Sequence, residues 1–173
     1  MPNTKPVGVA FSDPELTAGT TITGGTLDST TLVNSNVRSG FSAFQQGATI
    51  AVATGNNDVY VIVPAAGVLS AAWFSGVDSL AASDSNYITF SITNLGTSGS
   101  GTAAMLAATD ANTTKATGGT ALTANARRVL SLSATAANLS VAAGDRLRIR
   151  AAVTGTLANT VTFPVYAMNF TVA

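Results

Sequence analysis

Three arginine residues alternate with other residues in one short stretch and form the strongest local pattern in the chain. Arg146, Arg148 and Arg150 occupy every second position of the sequence RLRIRAAV, residues 146–153. A guanidinium group binds a carboxylate or a phosphate through two parallel hydrogen bonds, so three in a row indicate a contact surface for anionic groups. The open alternatives are a phosphate track, a carboxylate surface on another subunit, and a face that serves solubility alone.

A protein surface fits this row better than a nucleic acid does. Proteins that bind single strands interleave basic residues with aromatic side chains that stack on the bases. Between Phe90 and Phe163 the sequence has no aromatic residue, and the net charge of the chain is zero. We therefore expect Arg146, Arg148 and Arg150 to contact carboxylates of a neighbouring subunit or of a larger scaffold, at least one of them in bidentate geometry. We expect no nucleic-acid partner.

The residue types that catalytic and metal sites need are missing or isolated. The chain has no histidine and no cysteine, which removes Ser-His and Cys-His arrangements and the most common metal ligands. The best cluster of calcium ligands, Asp78 with Asp84 and Asn86, lacks the close D-x-D spacing. Turn chemistry explains most acids without catalysis, namely Asp13, Asp28, Asp58, Asp84, Asp110 and Asp145. We predict a protein that is not an enzyme and has no catalytic residues, metal or cofactor.

The strands that must position these residues are predicted from period-two hydrophobicity. In 87–95, three apolar residues alternate with threonine and serine, which indicates one buried and one wet face. Further strands are predicted at 49–54, 58–63, 67–75, 128–133, 146–153 and 160–172. Residues 96–126 are expected to form a loop with one short element at 103–108. About eight strands predict an all-β fold, an antiparallel β-sandwich that is most simply a jelly roll, with another Greek-key order as the alternative.

The first 45 residues have a different pattern from the rest. Residues 1–45 are predicted to be an extended N-terminal arm for assembly or attachment, and residues 46–173 a β-sandwich domain. Pro2, Pro6 and Pro14 restrict the backbone of the first 20 residues. A five-residue repeat then places one apolar residue at the same phase of each unit, at Ile22, Leu27, Leu32 and Val37. Such a stretch has little core of its own, so we expect it to pack on the body or on other subunits; an irregular Thr-rich linker is the alternative.

The composition favours self-association. The chain is 46% hydrophobic but only 9% charged, against roughly 25% in an ordinary soluble domain. Residues 1–110 contain two basic and seven acidic residues, whereas residues 111–173 contain six basic and one acidic. Oppositely charged halves attract within one subunit or between neighbours, and we expect a homotrimer.

Neither secretion nor a membrane location is expected. The N-terminal prolines interrupt the apolar core that a signal peptide needs. No apolar run approaches the 18 residues of a membrane span. We therefore expect a protein that has no membrane partner and is made and used without the secretion machinery.

The chain resembles small structural proteins of tailed bacteriophages, closest in kind to capsid decoration (cement) proteins and head-fibre proteins. The resemblance rests on KPVGVAFSDPEL, on TTITGGTLDSTTL and on SLSATAANLSVAAGDRLRIRAAVTGTLANTVTFPV. It implies a jelly-roll-like body, a homotrimer, and attachment to the major capsid protein at the outer surface of the phage head. The implied function is mechanical stabilisation of a capsid that holds pressurised DNA, with synthesis in the host cytoplasm. The resemblance assigns no functional residue.

Two other functions are alternatives. The first is a trimeric tail-fibre or receptor-binding module with a carbohydrate-binding groove. Aromatic residues for such a face exist, although aromatics at strand spacing usually belong to a core: Tyr60, Trp73, Phe74, Tyr87 and Phe90. The second is a lyase or hydrolase domain of a tail spike, which the missing histidine and the isolated acids disfavour.

Overall fold

The structure is a computed structural model, and it describes residues 40–172. This part of the chain forms nine strands and two short 3-10 turns, Asp110–Asn112 and Ala136–Leu139. The strands are β1 (Gly40–Gln46), β2 (Gly55–Ile62), β3 (Gly67–Ser75), β4 (Tyr87–Asn94), β5 (Ala103–Ala104), β6 (Arg128–Leu130), β7 (Ser140–Val141), β8 (Arg146–Thr154) and β9 (Val165–Thr171).

The strands form two antiparallel sheets. The larger sheet has the order β1-β9-β3-β6, and β7 pairs with β3 outside this path. The smaller sheet has the order β2-β8-β4-β5. Except between β4 and β5 and between β6 and β7, the chain changes sheet from each strand to the next, so strands that are distant in sequence become neighbours. The prediction of an all-β, antiparallel fold is confirmed.

One hydrophobic core lies between the inner faces of the two sheets. In β4 and β8 every second residue is buried, as Ile88 and Ile92 or Leu147 and Ile149 show. Phe90 of the smaller sheet lies 4.6 Å from Phe74 of the larger sheet, measured between ring centroids. Because both sheets contribute to a single buried cluster, the architecture is that of a β-sandwich.

The predicted strand bounds are accurate in the middle of the domain and wrong at its start. β3, β4 and β8 lie where the alternation places them. The predicted strand 49–54 is reduced to one isolated bridge, between Ile50 and Val161. β1 pairs along its whole length with β9, so the expected boundary between residues 45 and 46 passes through a strand of the larger sheet. The predicted arm features, namely the prolines and the five-residue repeat, lie outside the described residues.

Two buried polar side chains hold the long segment 96–126 against the sandwich. The Asn112 side chain donates to the carbonyl oxygens of Ala107 (2.8 Å) and Ser131 (2.9 Å), and its Oδ1 accepts from the Ser131 amide. The Arg128 guanidinium donates to carbonyl oxygens of the same segment, at Ala111, Thr113 and Thr120. Side chains thus satisfy backbone groups that no regular strand pairs here.

A tight turn fixes the start of β8. The Asp145 amide donates to the Ala142 carbonyl (3.2 Å), and Gly144 between them has φ +85°, as the third residue of a type II turn requires. The Asp145 carboxylate accepts from the Ala142 amide and from the Asn94 side chain, both at 2.8 Å. Hydrogen bonds therefore hold the turn together and attach it to β4. They determine which residue begins β8.

We predict that Gly144→Ala destabilises the protein by about 1–2 kcal/mol, because an L-residue in the left-handed region meets its own backbone. A Cβ atom at this position would lie 3.6 Å from the Thr97 methyl carbon, which is an ordinary contact, so backbone strain is the main effect. Gly55→Ala is the matched control, since its Cβ would have no neighbour closer than 4.0 Å and its φ is not positive. Urea unfolding of both variants measures the difference. Equal stability of the two variants would contradict this account of the turn.

Candidate functional site: the outer face of the smaller sheet

The outer face of the smaller sheet gathers the arginine row with residues of the two flanking strands. In β8, Arg146, Arg148 and Arg150 point outward, while the residues between them are buried. The register pairs Asp58 with Arg150, Tyr60 with Arg148, and Ile62 with Arg146. On the other side of β8, Ser91 pairs with Arg150 and Thr93 with Arg148. We call this surface the arginine face: Asp58, Tyr60, Ile62, Ser91, Thr93, Arg146, Arg148 and Arg150.

Arg150 has its carboxylate partner within the same chain. Its Nε and Nη2 donate to the two oxygens of Asp58 at 2.6 and 2.7 Å, which is the bidentate geometry. These hydrogen bonds lower the pKa of the Asp58 carboxyl below its usual value and raise the pKa of Arg150. From the sequence we expect a neighbouring subunit or a scaffold to supply this carboxylate. The prediction that turn chemistry explains Asp58 is wrong, because Asp58 lies within β2.

Arg146 lies against an aromatic ring and not against an acid. Its guanidinium carbon is 4.0 Å from the centroid of the Tyr60 ring, which is 43% exposed. Ile62, the cross-strand partner of Arg146, is 63% exposed. A guanidinium that stacks on a ring keeps the N–H groups at its edge available for an anionic partner.

Arg148 is the central arginine, and part of its hydrogen-bonding capacity is unused. Its Nε is buried and has no hydrogen-bond partner. Residues 40–172 contain two ion pairs, Asp58–Arg150 and Asp110–Lys115, so no described carboxylate pairs with Arg146 or Arg148. A buried donor without an acceptor costs about 1–3 kcal/mol.

A shallow groove adjoins the arginine face along the outer edge of β4. It has a volume of about 340 Å³ and a lining that includes Thr89, Ser91 and Thr93 together with apolar residues of the segment after β5. At one end the Lys115 ammonium lies 5.0 Å from the centroid of the Tyr87 ring and 2.8 Å from the Asp110 carboxylate. No sequence pattern predicts this groove, because residues far apart in the chain form it.

The aromatic residues considered for a sugar-binding face do not share one surface. Phe74 and Phe90 pack on each other in the core. Tyr60 belongs to the arginine face, Tyr87 lines the groove, and Trp73 lies on the larger sheet next to Arg127. The predicted alternative that aromatics at strand spacing belong to a core therefore holds for two of the five.

The oxygen ligands considered for calcium accept hydrogen bonds from two separate segments of the chain, the connection between β8 and β9 and the segment 96–126. Asp78 accepts from the amide and hydroxyl of Thr162, Asp84 accepts from those of Thr117, and the Asn86 Oδ1 accepts from the Thr156 amide. Within residues 40–172, no group of three or more His, Cys, Asp or Glu side chains is placed to hold a metal ion. Asp78, Asp84 and Asn86 each hold two loops together through hydrogen bonds.

Comparison with protein-family models, with curated proteins and with solved structures returns no match to this chain. Residues 40–172 contain no helix that is long and apolar enough to cross a membrane.

We predict that the Asp58–Arg150 pair contributes about 0.5–1 kcal/mol to stability at pH 7 and less at pH 2. The pKa of Asp58 is lowered in the folded state, so the contribution is present above the usual value of 3.8 and is lost as the pH falls through the folded-state pKa. A double-mutant cycle with Asp58→Asn and Arg150→Gln, measured by urea unfolding at both pH values, gives the coupling energy. A coupling energy that is equal at pH 7 and pH 2 would rule out this assignment.

Proposed function

We propose that this protein is a non-enzymatic structural protein of a bacteriophage virion, a capsid decoration (cement) protein. In this proposal it binds the outer surface of the phage head as a homotrimer and stabilises the shell. Its partners are copies of itself and the major capsid protein, and it is made in the host cytoplasm.

The arginine face is the observation that supports this proposal most directly. Two guanidinium groups, those of Arg146 and Arg148, lie on a strand in the middle of a sheet and have no carboxylate partner among the described residues. Rigid strands hold them in fixed positions, and the exposed Tyr60 and Ile62 surround them with apolar surface. Such a face suits a partner protein that presents carboxylates next to apolar residues.

The strand order supports the jelly-roll part of the proposal. If the two-residue strand β7 is set aside, the orders β1-β9-β3-β6 and β2-β8-β4-β5 are those of the two four-stranded sheets of a jelly roll. Jelly rolls occur in many proteins that are not viral, so the order supports the fold and not the function. The resemblance to decoration and head-fibre proteins adds the viral setting.

A carbohydrate-binding module of a phage tail fibre is the second candidate, and the groove beside β4 is the observation that favours it. The groove offers the threonine and serine hydroxyls of β4 and the Tyr87 ring, which are groups that bind sugars in proteins. However, Lys115 covers part of that ring, since its ammonium lies 5.0 Å from the ring centroid. Glycan binding that Tyr87→Ala abolishes would favour this candidate over the decoration protein.

We predict that the smallest species of the intact protein that persists on dilution has three times the mass of one chain. The reasons are its low charged fraction and the opposite charges of its two halves, which neighbouring subunits neutralise. Sedimentation equilibrium of the full chain at several concentrations measures this mass. A single-chain mass at every concentration would contradict the trimer.

We predict that Arg146→Ala combined with Arg148→Ala weakens attachment to the phage head without loss of fold. The loss should grow as salt is lowered from 0.5 M to 0.05 M, because screening already weakens the parent contact at high salt. Head attachment is measured by co-sedimentation with heads stripped of this protein, and folding is measured by circular dichroism.

The matched control is Lys115→Ala combined with Arg127→Ala, which removes the same charge from residues outside the arginine face. This control should attach like the parent protein. Equal attachment of the arginine-face variant and the parent at every salt concentration would show that the row is only a solvated face.

A further inference from the structure

Four apolar side chains lie next to one another across the whole width of the larger sheet, on its outer face. The register pairs Phe44 with Ala167, Ala167 with Trp73, and Trp73 with Val129. We call these four residues the apolar row. Phe44 and Val129, on the two edge strands, are 76% and 61% exposed. Single exposed apolar residues are ordinary, but a contiguous row marks a contact surface.

The surroundings of the row extend its apolar character. Val165, on the strand next to Phe44, is also exposed, and Phe163 and Val77 are exposed just beyond the ends of β9 and β3. No outward side chain in the strands of the larger sheet is charged, since Arg128, their one charged residue, is buried. The two outer faces of the sandwich therefore differ in chemistry.

We propose that the apolar row is a contact between two copies of this chain, related by a two-fold axis parallel to the strands. Such an axis reverses the order of the row between the two copies. Phe44 then faces Val129 of the second copy, and Trp73 faces Ala167 of the second copy. Each contact occurs twice, as in any interface that uses the same patch on both subunits.

Shape complementarity selects this axis over the other two-fold axis in the plane of the contact. With the reversed order, the smallest residue of the row, Ala167, lies opposite the largest, Trp73. An axis along the row would instead place Trp73 against Trp73 and leave two alanines opposite each other with a gap between them. Close packing at the centre of an interface requires the first arrangement.

The charges near the row allow a second copy to pack on this face, whereas they oppose pairing of two arginine faces. Arg127 lies beside the row, with its guanidinium carbon 5.4 Å from the Trp73 ring centroid. The reversed order places the Arg127 side chains of the two copies at opposite edges of the contact, so they do not repel each other. Two arginine faces could not pair in this way, because each has three guanidinium groups and a single carboxylate.

The size of the face indicates that the association is weak. Four strands at about 4.8 Å spacing and five residues per strand give a face of roughly 300–400 Å². A standard stable interface buries about 800 Å² on each partner. The average mass in solution should therefore rise with protein concentration. At the lowest concentrations it should equal the mass of the smallest species that persists on dilution.

A charge exchange tests the proposed pairing in the full chain. Phe44→Glu alone and Val129→Lys alone should each raise the concentration of half-association by about tenfold or more, because a charge would be buried in the contact. The double variant should recover much of the loss, since Glu and Lys then face each other between copies. Within one chain the two positions are three strands apart, about 14 Å, which is too far for an ion pair.

Ile62→Glu is the matched control, because Ile62 is as exposed as Val129 but lies on the arginine face. Sedimentation velocity over a wide concentration range gives the association of each variant, and thermal unfolding checks that each one folds. Recovery in the double variant, with no change in the control, supports the contact.

Three results would overturn the proposal. They are a parent mass that is constant with concentration, single variants that associate like the parent, and a double variant no better than the single ones. A parent mass that is constant with concentration would mean that another segment of the chain, or the shell, covers the apolar row. The proposal does not rest on the proposed function, because these experiments use the free protein and involve no phage head.

Discussion

The register of β8 is the constraint on which the smaller sheet depends. β8 pairs with β2 on one side and with β4 on the other, and its Leu147 and Ile149 side chains are almost fully buried. A shift by one residue would turn three guanidinium groups into the core and expose the apolar residues. The cost of burying even one unpaired charge exceeds the net stability of most domains, so no such alternative is populated. The turn at Gly144 and Asp145 reinforces the same choice from the end of the strand.

This constraint also explains why the arginine face is suited to recognition. A central strand cannot move without breaking hydrogen bonds on both sides, so Arg146 and Arg148 keep their spacing whether or not a partner is present. The Asp58–Arg150 pair closes one end of the row, and Tyr60 supports the other end. Because the backbone spacing of the two arginines is fixed, binding costs no backbone freedom here, which favours affinity and selects partners with matching carboxylates.

Parts of the fold follow from short-range pattern, and other parts do not. β4 and β8 could be predicted from the alternation of apolar and polar residues, because each strand has one buried face and one face in contact with solvent. β1 was not predicted as a strand because Phe44 points outward on an edge strand and disturbs the alternation of apolar and polar residues. β5 and β7 have two residues each and are too short to show any alternation. The outward direction of the arginines could be predicted, whereas the Asp58 partner could not, because it lies 92 positions from Arg150. The groove and the apolar row are equally non-local, since the order of the strands creates them.

We propose that the arginine face meets the shell of a phage head, and a cryo-electron microscopy reconstruction of the particle that contains this protein tests this proposal most directly. The account predicts density for the sandwich on the outer surface of the head, with Arg146 and Arg148 turned toward carboxylates of the major capsid protein. Density at the tail, or a sandwich on the head with its arginine face turned toward solvent, would contradict the account.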